Sequence, residues 1–368
     1  MSLNYLRFED LLYKKAVLNG IPLAGEFELT ARCNFSCKMC FVDNHSGNVD
    51  LSAKEYSAPE WLKLTEAARD CGMLYLTLTG GEVLMRKDFM EIYTEASRMG
   101  LIINVFTNAS MVTKEIARSF ARIPPKVIEI TLYGASSETY GKVCGHPEGF
   151  EKVKKGIEML LAEGLNINLK TTLIRDNVSD YDEIFDLADK YGVGLKHVKY
   201  ISPRRDECEN LVSGCRLSPE KQAEINTYAS KRFDERQRKI KSTNAGNKPL
   251  AFEGSREFEG SGQFEGLDDG HPFRCASGRC CFWMTWDGRM TPCVLMGEPA
   301  FKPFEIGFKE AWNNLRESSR SIPVCRQCTE CSIKEFCFRC PARLKNETGC
   351  FDKPAPYLCE MAKSLSKQ

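Results

Sequence analysis

The chain has 368 residues, with 51 Lys and Arg against 50 Asp and Glu, 4 His and a net charge of +1. That balance offers no global field to nucleic acid or to an anionic membrane, and no apolar run approaches the roughly 18 residues of a membrane span. The 18 Cys stand out. Disulfides in such number belong to small secreted chains, yet Met1–Lys15 carries Arg7, Glu9, Asp10, Lys14 and Lys15 with no continuous apolar core, so it is not a signal sequence. A cytoplasmic metal or iron–sulfur protein of more than one domain is what these figures leave.

Residues 1–21 form an extension ahead of a repeating pattern from Glu26 to about Ile201. Strands are predicted at Glu26–Thr30, Met73–Thr79, Ile102–Thr107, Val127–Leu132, Ile167–Leu173 and Lys196–Ile201, each rich in β-branched, Leu or aromatic residues as buried parallel strands are. Helices between them begin at caps, with Ser57 and Glu60 as a capping box and Ser179 ahead of an acidic Asp182. They end at Gly72, Gly100, Gly164 and Gly192, each followed at once by a strand. Six strands with right-handed crossovers make either an open doubly wound sheet or a partial barrel, over residues 22–217. Ser218-Pro219 starts a charged helix to about Ile240, whose basic run Lys231–Lys241 reads as a solvated face. Ser242–His271, with its repeated Phe-Glu-Gly, reads as a flexible linker or lid closing a segment 218–272. A second domain, 273–368, begins near Pro272.

The cysteines divide along this plan. Cys33, Cys37 and Cys40 stand together after the first strand, at the edge where α/β folds bind ligands. Three thiolates at CxxxCxxC spacing suit an iron–sulfur cube whose fourth iron has no protein ligand. A zinc knuckle would need a fourth ligand, and only His45 offers itself.

On this motif the chain resembles the radical S-adenosylmethionine (radical SAM) superfamily. The resemblance implies a 4Fe–4S cluster on Cys33, Cys37 and Cys40, S-adenosylmethionine on the open iron, and hydrogen abstraction by a 5′-deoxyadenosyl radical. It implies a partial (β/α)6 barrel over roughly residues 22–205, followed by a small cysteine-rich iron–sulfur domain. Further matches are Phe41 beside the adenine, Gly80 and Gly81 for close backbone approach to the cofactor, Glu82 toward the methionine ammonium, and Asn108 and Thr131 toward ribose or carboxylate. Val83 departs from the family's usual Pro.

Eleven cysteines fall within the 85 residues from Cys275 to Cys359. A four-cysteine zinc ribbon usually separates its two CxxC pairs by more than the five residues found here. The arrangement is similar to the SPASM domain, which implies two auxiliary 4Fe–4S clusters and so three clusters in all. Cys275, Cys281, Cys293 and Cys340 would hold the nearer one, and Cys328, Cys331, Cys337 and Cys359 the farther. Cys280 for Cys281 and Cys350 for Cys359 remain open exchanges, and Cys325 is spare. The tryptophans Trp283, Trp286 and Trp312 are expected to pack the small domain around its clusters.

The resemblance implies an enzyme that modifies a ribosomally made peptide or protein by crosslinking, epimerisation or oxidation. An external electron donor such as flavodoxin or ferredoxin is implied, and no nucleic acid or membrane partner. With only about 25 residues before the first strand, leader recognition is expected to use the barrel, the linker or a separate protein. Sulfatase maturation is an alternative, weakened because Cys293 is followed by Val294 where those enzymes carry an Asp base. A non-catalytic iron–sulfur carrier or sensor is the alternative of another class. Cys71, Cys144, Cys208 and Cys215 are candidate hydrogen donors for epimerisation, with Cys208 and Cys215 favoured because they follow the last barrel strand.

Overall fold

A computed structural model describes residues 2–42, 55–205, 214–242 and 270–367. Cys208, His45 and nearly all of the Ser242–His271 linker lie outside the described residues.

The helix stops read from the sequence are where the helices stop. Gly72, Gly100, Gly164 and Gly192 take positive φ of 106, 85, 72 and 65°, a backbone that glycine adopts without a Cβ clash. The strands they release are β2 (Tyr75–Thr79), β3 (Ile102–Thr107), β5 (Ile167–Thr171) and β6 (Gly194–His197), joined by β1 (Ala24–Glu28) and β4 (Val127–Thr131). The intervening helices are α2 (Ala58–Asp70), α3 (Phe89–Arg98), α4 (Lys114–Arg122), α5 (Ser137–Cys144), α6 (Gly149–Ala162) and α7 (Tyr181–Tyr191), with α1 (Ser2–Asn19) ahead of β1 and α8 (Pro219–Ser242) after β6. Glu60 accepts the Ser57 N–H at 2.8 Å, as the capping box requires. At α7 the expected cap moves by one residue: Ser179 lies in a 3-10 turn, Val178–Asp180, and Asp180 occupies the N-cap.

All five strand pairs from β1 to β6 are parallel and in chain order. Right-handed crossovers then put the connecting helices on one face, and the sheet curls away from them. Alternation does the sorting. Phe27, Leu76, Leu78, Ile103, Val105, Ile128, Ile130, Leu169 and Leu195 enter the apolar layer under the helices. Glu26, Glu28, Thr77, Thr79, Asn104, Glu129 and Asn168, one residue out of phase, are buried on the concave face. Closure shows in one contact. Arg205, in the segment after β6, reaches Glu28 at the end of β1 with Nη2 at 2.9 Å, although β6 and β1 are at opposite ends of the six-strand order. This is the partial barrel rather than the flat doubly wound sheet.

The second domain is less separate than the sequence implied. Its first strand, β7 (Cys281–Met284), pairs in parallel with β1, and β8 (Met290–Thr291) pairs antiparallel with β7. Two apolar residues explain the junction. Phe282 and Met284 join the barrel's own helix-side core, with Phe282 packed on Phe27, Phe308 and Trp312. Trp312 donates to Gly20 O at 2.7 Å and Trp283 to Glu28 Oε1 at 2.7 Å. These tryptophans therefore bind the two regions together instead of wrapping the small domain alone. From α1, Ala16 and Val17 with Leu12 and Tyr13 cover Cys280 and Cys281.

Glu28 is fully buried and accepts from Arg205, Trp283 and, at 3.4 Å, the Trp286 amide. Removing one partner of a buried ion pair leaves the other uncompensated. Glu28→Ala is expected to destabilise the protein by about 3–5 kcal/mol, read as a lower urea midpoint at unchanged slope. An unchanged midpoint would show that Arg205 finds other compensation.

Candidate active site

After β1 the chain turns at Thr30, whose hydroxyl accepts the Arg32 N–H at 3.0 Å, and carries Cys33, Cys37 and Cys40 along the C-terminal edge of the sheet. The end of α5 clamps the middle of this loop. Ser36 N–H donates to Cys144 O at 2.9 Å and Lys38 N–H to Val143 O at 3.0 Å. Cys37 is thereby buried against the Cys144 thiol, which donates to Tyr140 O at 3.1 Å. Arg204 Nε donates to the Cys40 carbonyl at 3.0 Å. Burial pushes the thiols of Cys33 and Cys40 from 9.0 up to about 12, and the contact with Cys144, then burial, raises Cys37. Protonated, buried thiols are poor nucleophiles, and a metal is the group that draws such protons off.

The donor set fits an iron–sulfur cluster. Three thiols lie close enough to feel one another at an open edge, with a fourth position left to an outside ligand. Among the described residues, no three His, Cys, Asp or Glu side chains converge on a single ion. A cluster asks instead for thiols set around a larger body, one for each ligated iron.

The Thr79-Gly80-Gly81-Glu82 turn leans on the root of the cysteine loop. Gly81 N–H donates to Thr30 O and Glu82 N–H to Arg32 O, both at 2.8 Å. A Cβ on Gly80 would lie 2.5 Å from Thr30 O, and one on Gly81 would lie 2.4 Å from Arg32 O. The glycines are thus required by the loop's own backbone, in addition to any approach to a cofactor. Glu82 is fully buried. It accepts from Leu84 N at 3.0 Å, Thr107 Oγ1 at 2.7 Å and Asn108 N at 2.6 Å, and burial raises its carboxyl. Asn108 Nδ2 reaches Asn34 Oδ1 at 2.9 Å and the Cys33 sulfur at 3.9 Å. Ala109 follows at φ 58°, the one non-glycine with positive φ among the described residues, so backbone strain sits beside the thiols. Phe41 is 37 % exposed and meets Trp283 edge-on at 6.2 Å. Thr131 ends β4, paired in register with Lys170 of β5, which pairs in turn with Lys196 of β6.

The structure adds residues that motif reading passed over. The Tyr133 hydroxyl faces Cys37. On the concave face Lys196 pairs with Glu129, while Lys170 lies 5.5 Å over the Phe106 ring with no carboxylate partner among the described residues. Lys170, opposite Lys196 near the C-terminal edge, is the ammonium left to meet an anionic group of a ligand. Its signal was the alternation Asn168, Lys170 inside an otherwise apolar strand.

The C-terminal thiols fall into two sets. Cys275, Cys293 and Cys340 act on one another, and Cys281 acts with Cys275. Cys337, Cys331 and Cys359 form the other with Cys328, whose thiol shares a hydrogen bond with the free thiol of Cys325. Cys280 touches Cys281, and Cys325 joins the second set as a fifth thiol. Glu26 on the concave face of β1 raises Cys281 and Cys293 further after burial has raised them, so the first set borders the barrel interior.

The candidate hydrogen donors separate. Cys71 caps the C-terminus of α2 on the entry side of β2, away from the cysteine loop, and lines an open groove of about 590 Å³ with Phe308 and Lys309. Cys144 lies behind Cys37. Cys215 is buried near the Lys38–Asp176 ion pair, while Cys208 is outside the described residues.

A parallel half-barrel bearing a three-cysteine loop at the exit of its first strand defines a cluster-dependent radical enzyme. Residues 27–188 match the Radical SAM superfamily, so the half-barrel is a radical SAM domain. The chain is similar to the AdoMet-dependent heme synthase of Methanosarcina barkeri, 26 % identical over 351 residues, covering 92 % of this chain and 97 % of that one. It is also similar to the PqqA peptide cyclase of Bradyrhizobium diazoefficiens, 28 % identical over 213 residues, 54 % of this chain and 55 % of that one. Streptococcus suis SuiB, solved with its precursor peptide SuiA, shares the fold with a TM-score of 0.67 at 16 % identity, over 94 % of this chain and 78 % of that one. No described helix is long and apolar enough to cross a membrane.

The raised thiols fix the sign of two pH effects. Without a cluster, a thiol raised from 9.0 to about 12 favours the protonated fold, so apo stability holds below pH 9 and falls as pH rises toward 12. Cluster loading expels the same protons, so iron uptake rises with pH between about 7 and 9 and acidifies a weak buffer. Iron uptake independent of pH would contradict ligation by Cys33 and Cys40.

Proposed function

We propose that this enzyme is a radical SAM enzyme of SPASM type that modifies a ribosomally made peptide or protein in the cytoplasm, by crosslinking, epimerisation or oxidation. The observation that carries the reading is the gathering of eight C-terminal cysteines into two sets against a barrel that presents a separate three-cysteine loop. The chemistry that a 4Fe–4S cluster with S-adenosylmethionine would supply there is hydrogen abstraction from the substrate by a 5′-deoxyadenosyl radical. Cys33, Cys37 and Cys40 would hold that cluster. Phe41, Gly80, Gly81, Glu82, Asn108 and Thr131 would orient the S-adenosylmethionine. Cys275, Cys281, Cys293 and Cys340 would hold a nearer auxiliary cluster, and Cys328, Cys331, Cys337 and Cys359 a farther one. Cys350 is the weaker choice for the farther site, since Cys359 is the thiol that acts on Cys331 and Cys337. A flavodoxin or ferredoxin would supply electrons.

Peptide substrates are supported by the PqqA peptide cyclase among the relatives and by the SuiB–SuiA complex among the structures that share the fold. Sulfatase maturation gains nothing at Val294, whose carbonyl is engaged by Arg205 at 3.1 Å and whose side chain cannot serve as a base. One observation favours a second substrate class. The heme synthase match spans nearly the whole of both chains, and Lys170 suits a substrate bearing a carboxylate, as a tetrapyrrole does.

Anaerobic reconstitution followed by reduction is expected to release 5′-deoxyadenosine and to load about twelve irons per chain, four for each of three clusters. Cys37→Ala is expected to abolish that product while keeping about eight irons. Co-expression with small peptides encoded beside the gene, read by mass spectrometry, tests the substrate class. Turnover of a tetrapyrrole with no modified peptide would overturn the peptide reading.

A further inference from the structure

The second and first C-terminal thiol sets are joined at one short link, Cys337-Phe338-Arg339-Cys340, in which Cys337 belongs to the outer set and Cys340 to the inner. Two arginines stand there. Arg339 Nε and Nη2 and Arg343 Nε are buried, with no hydrogen-bond partner among the described residues. No carboxylate pairs with either side chain among those residues. Arg343 is held in place from three directions: Nη1 donates to Phe338 O at 2.6 Å, its backbone N–H points to the Cys340 sulfur at 3.5 Å, and its guanidinium lies 4.9 Å over the Tyr200 ring. Arg339 stands within electrostatic reach of Cys328 and Cys337, and Arg343 within reach of Cys275.

Both side chains are partly exposed, but their buried N–H groups are costly to leave without an acceptor. The anion that fits this place is the sulfur surface of an iron–sulfur cluster. Hydrogen bonds to cluster sulfur and nearby positive charge both favour the reduced, more negative form. We propose that Arg339 and Arg343 are positioning residues that raise the reduction potentials of the two auxiliary clusters, Arg339 acting chiefly on the outer and Arg343 on the inner. This rests on the two-cluster reading above. It deepens that reading by giving the joint between the clusters a cationic lining that eases the entry of one electron into either core, with no bond made or broken.

The test is a mediated dithionite titration of the reconstituted full-length enzyme, followed by electron paramagnetic resonance with iron counted in parallel. At the potential that half-reduces the outer cluster of the wild type, Arg339→Gln is expected to lower the ratio of reduced to oxidised cluster roughly tenfold. Arg343→Gln is expected to do the same at the inner cluster, and Arg339→Lys to recover most of the outer shift. Loaded Gln variants that titrate with the wild type would overturn the proposal. So would loss of iron in both Gln variants and in Arg339→Lys, since the side chains would then be holding the fold. A wild type that binds only about four irons would instead sink the two-cluster reading itself.

Discussion

A buried carboxylate ties the architecture together. Glu28, the last residue of the first strand, takes hydrogen bonds from the segment after the sixth strand through Arg205 and from the C-terminal region through Trp283 and the Trp286 amide. With those bonds made, both ends of the half-barrel and the strand added beside it meet at one point. The cysteine loop leaves the sheet at Thr30, two residues past Glu28, and so inherits its position from that junction. Arg204, the neighbour of Arg205, holds the Cys40 carbonyl from the other side.

Placed this way, the first strand is also a divider. Its concave face carries Glu28, whose charge reaches Cys40, and Glu26, whose charge reaches Cys281 and Cys293. The thiols of the cysteine loop and the inner C-terminal set therefore lie along the same barrel interior, within the field of acids on one strand. On the opposite wall Lys196 is paired with Glu129, and Lys170 is the ammonium without a carboxylate partner among the described residues. A ligand entering at the open edge would meet thiols and the acids of the first strand on one side and the Lys170 ammonium on the other.

The glycines of the Gly80-Gly81 turn show how one residue type serves two ends. A Cβ at either position would strike the backbone of Thr30 to Arg32, so the turn that presents Glu82 can be built only by pressing it against the cysteine loop. Glu82 is then locked by three donors, from Leu84, Thr107 and Asn108. Its orientation needs no cofactor to set it, which is the preorganisation a binding carboxylate requires.

Much of this was legible in the chain itself, for local reasons. Glycine at a helix end, alternation along a strand and the CxxxCxxC spacing are properties of neighbouring residues, and so the six strands, their helix stops and the three-cysteine loop could be read directly. Strand ends were less exact. The sixth strand runs Gly194–His197 rather than to Ile201, because pairing with the fifth strand ends at Thr171. What only the tertiary structure decided depends on long-range packing. Whether the C-terminal region stands apart was settled by Phe282 and Met284 entering the barrel core. The neighbours of Cys37, among them Cys144 and the Tyr133 hydroxyl, come from a helix and a strand end about a hundred residues on. The grouping of the late cysteines, with Cys359 beside Cys331 and Cys337 and Cys325 against Cys328, follows from how short helices fold over one another. Spacing along a chain limits which thiols can meet, but burial and the cost of an unpaired charge decide which ones do.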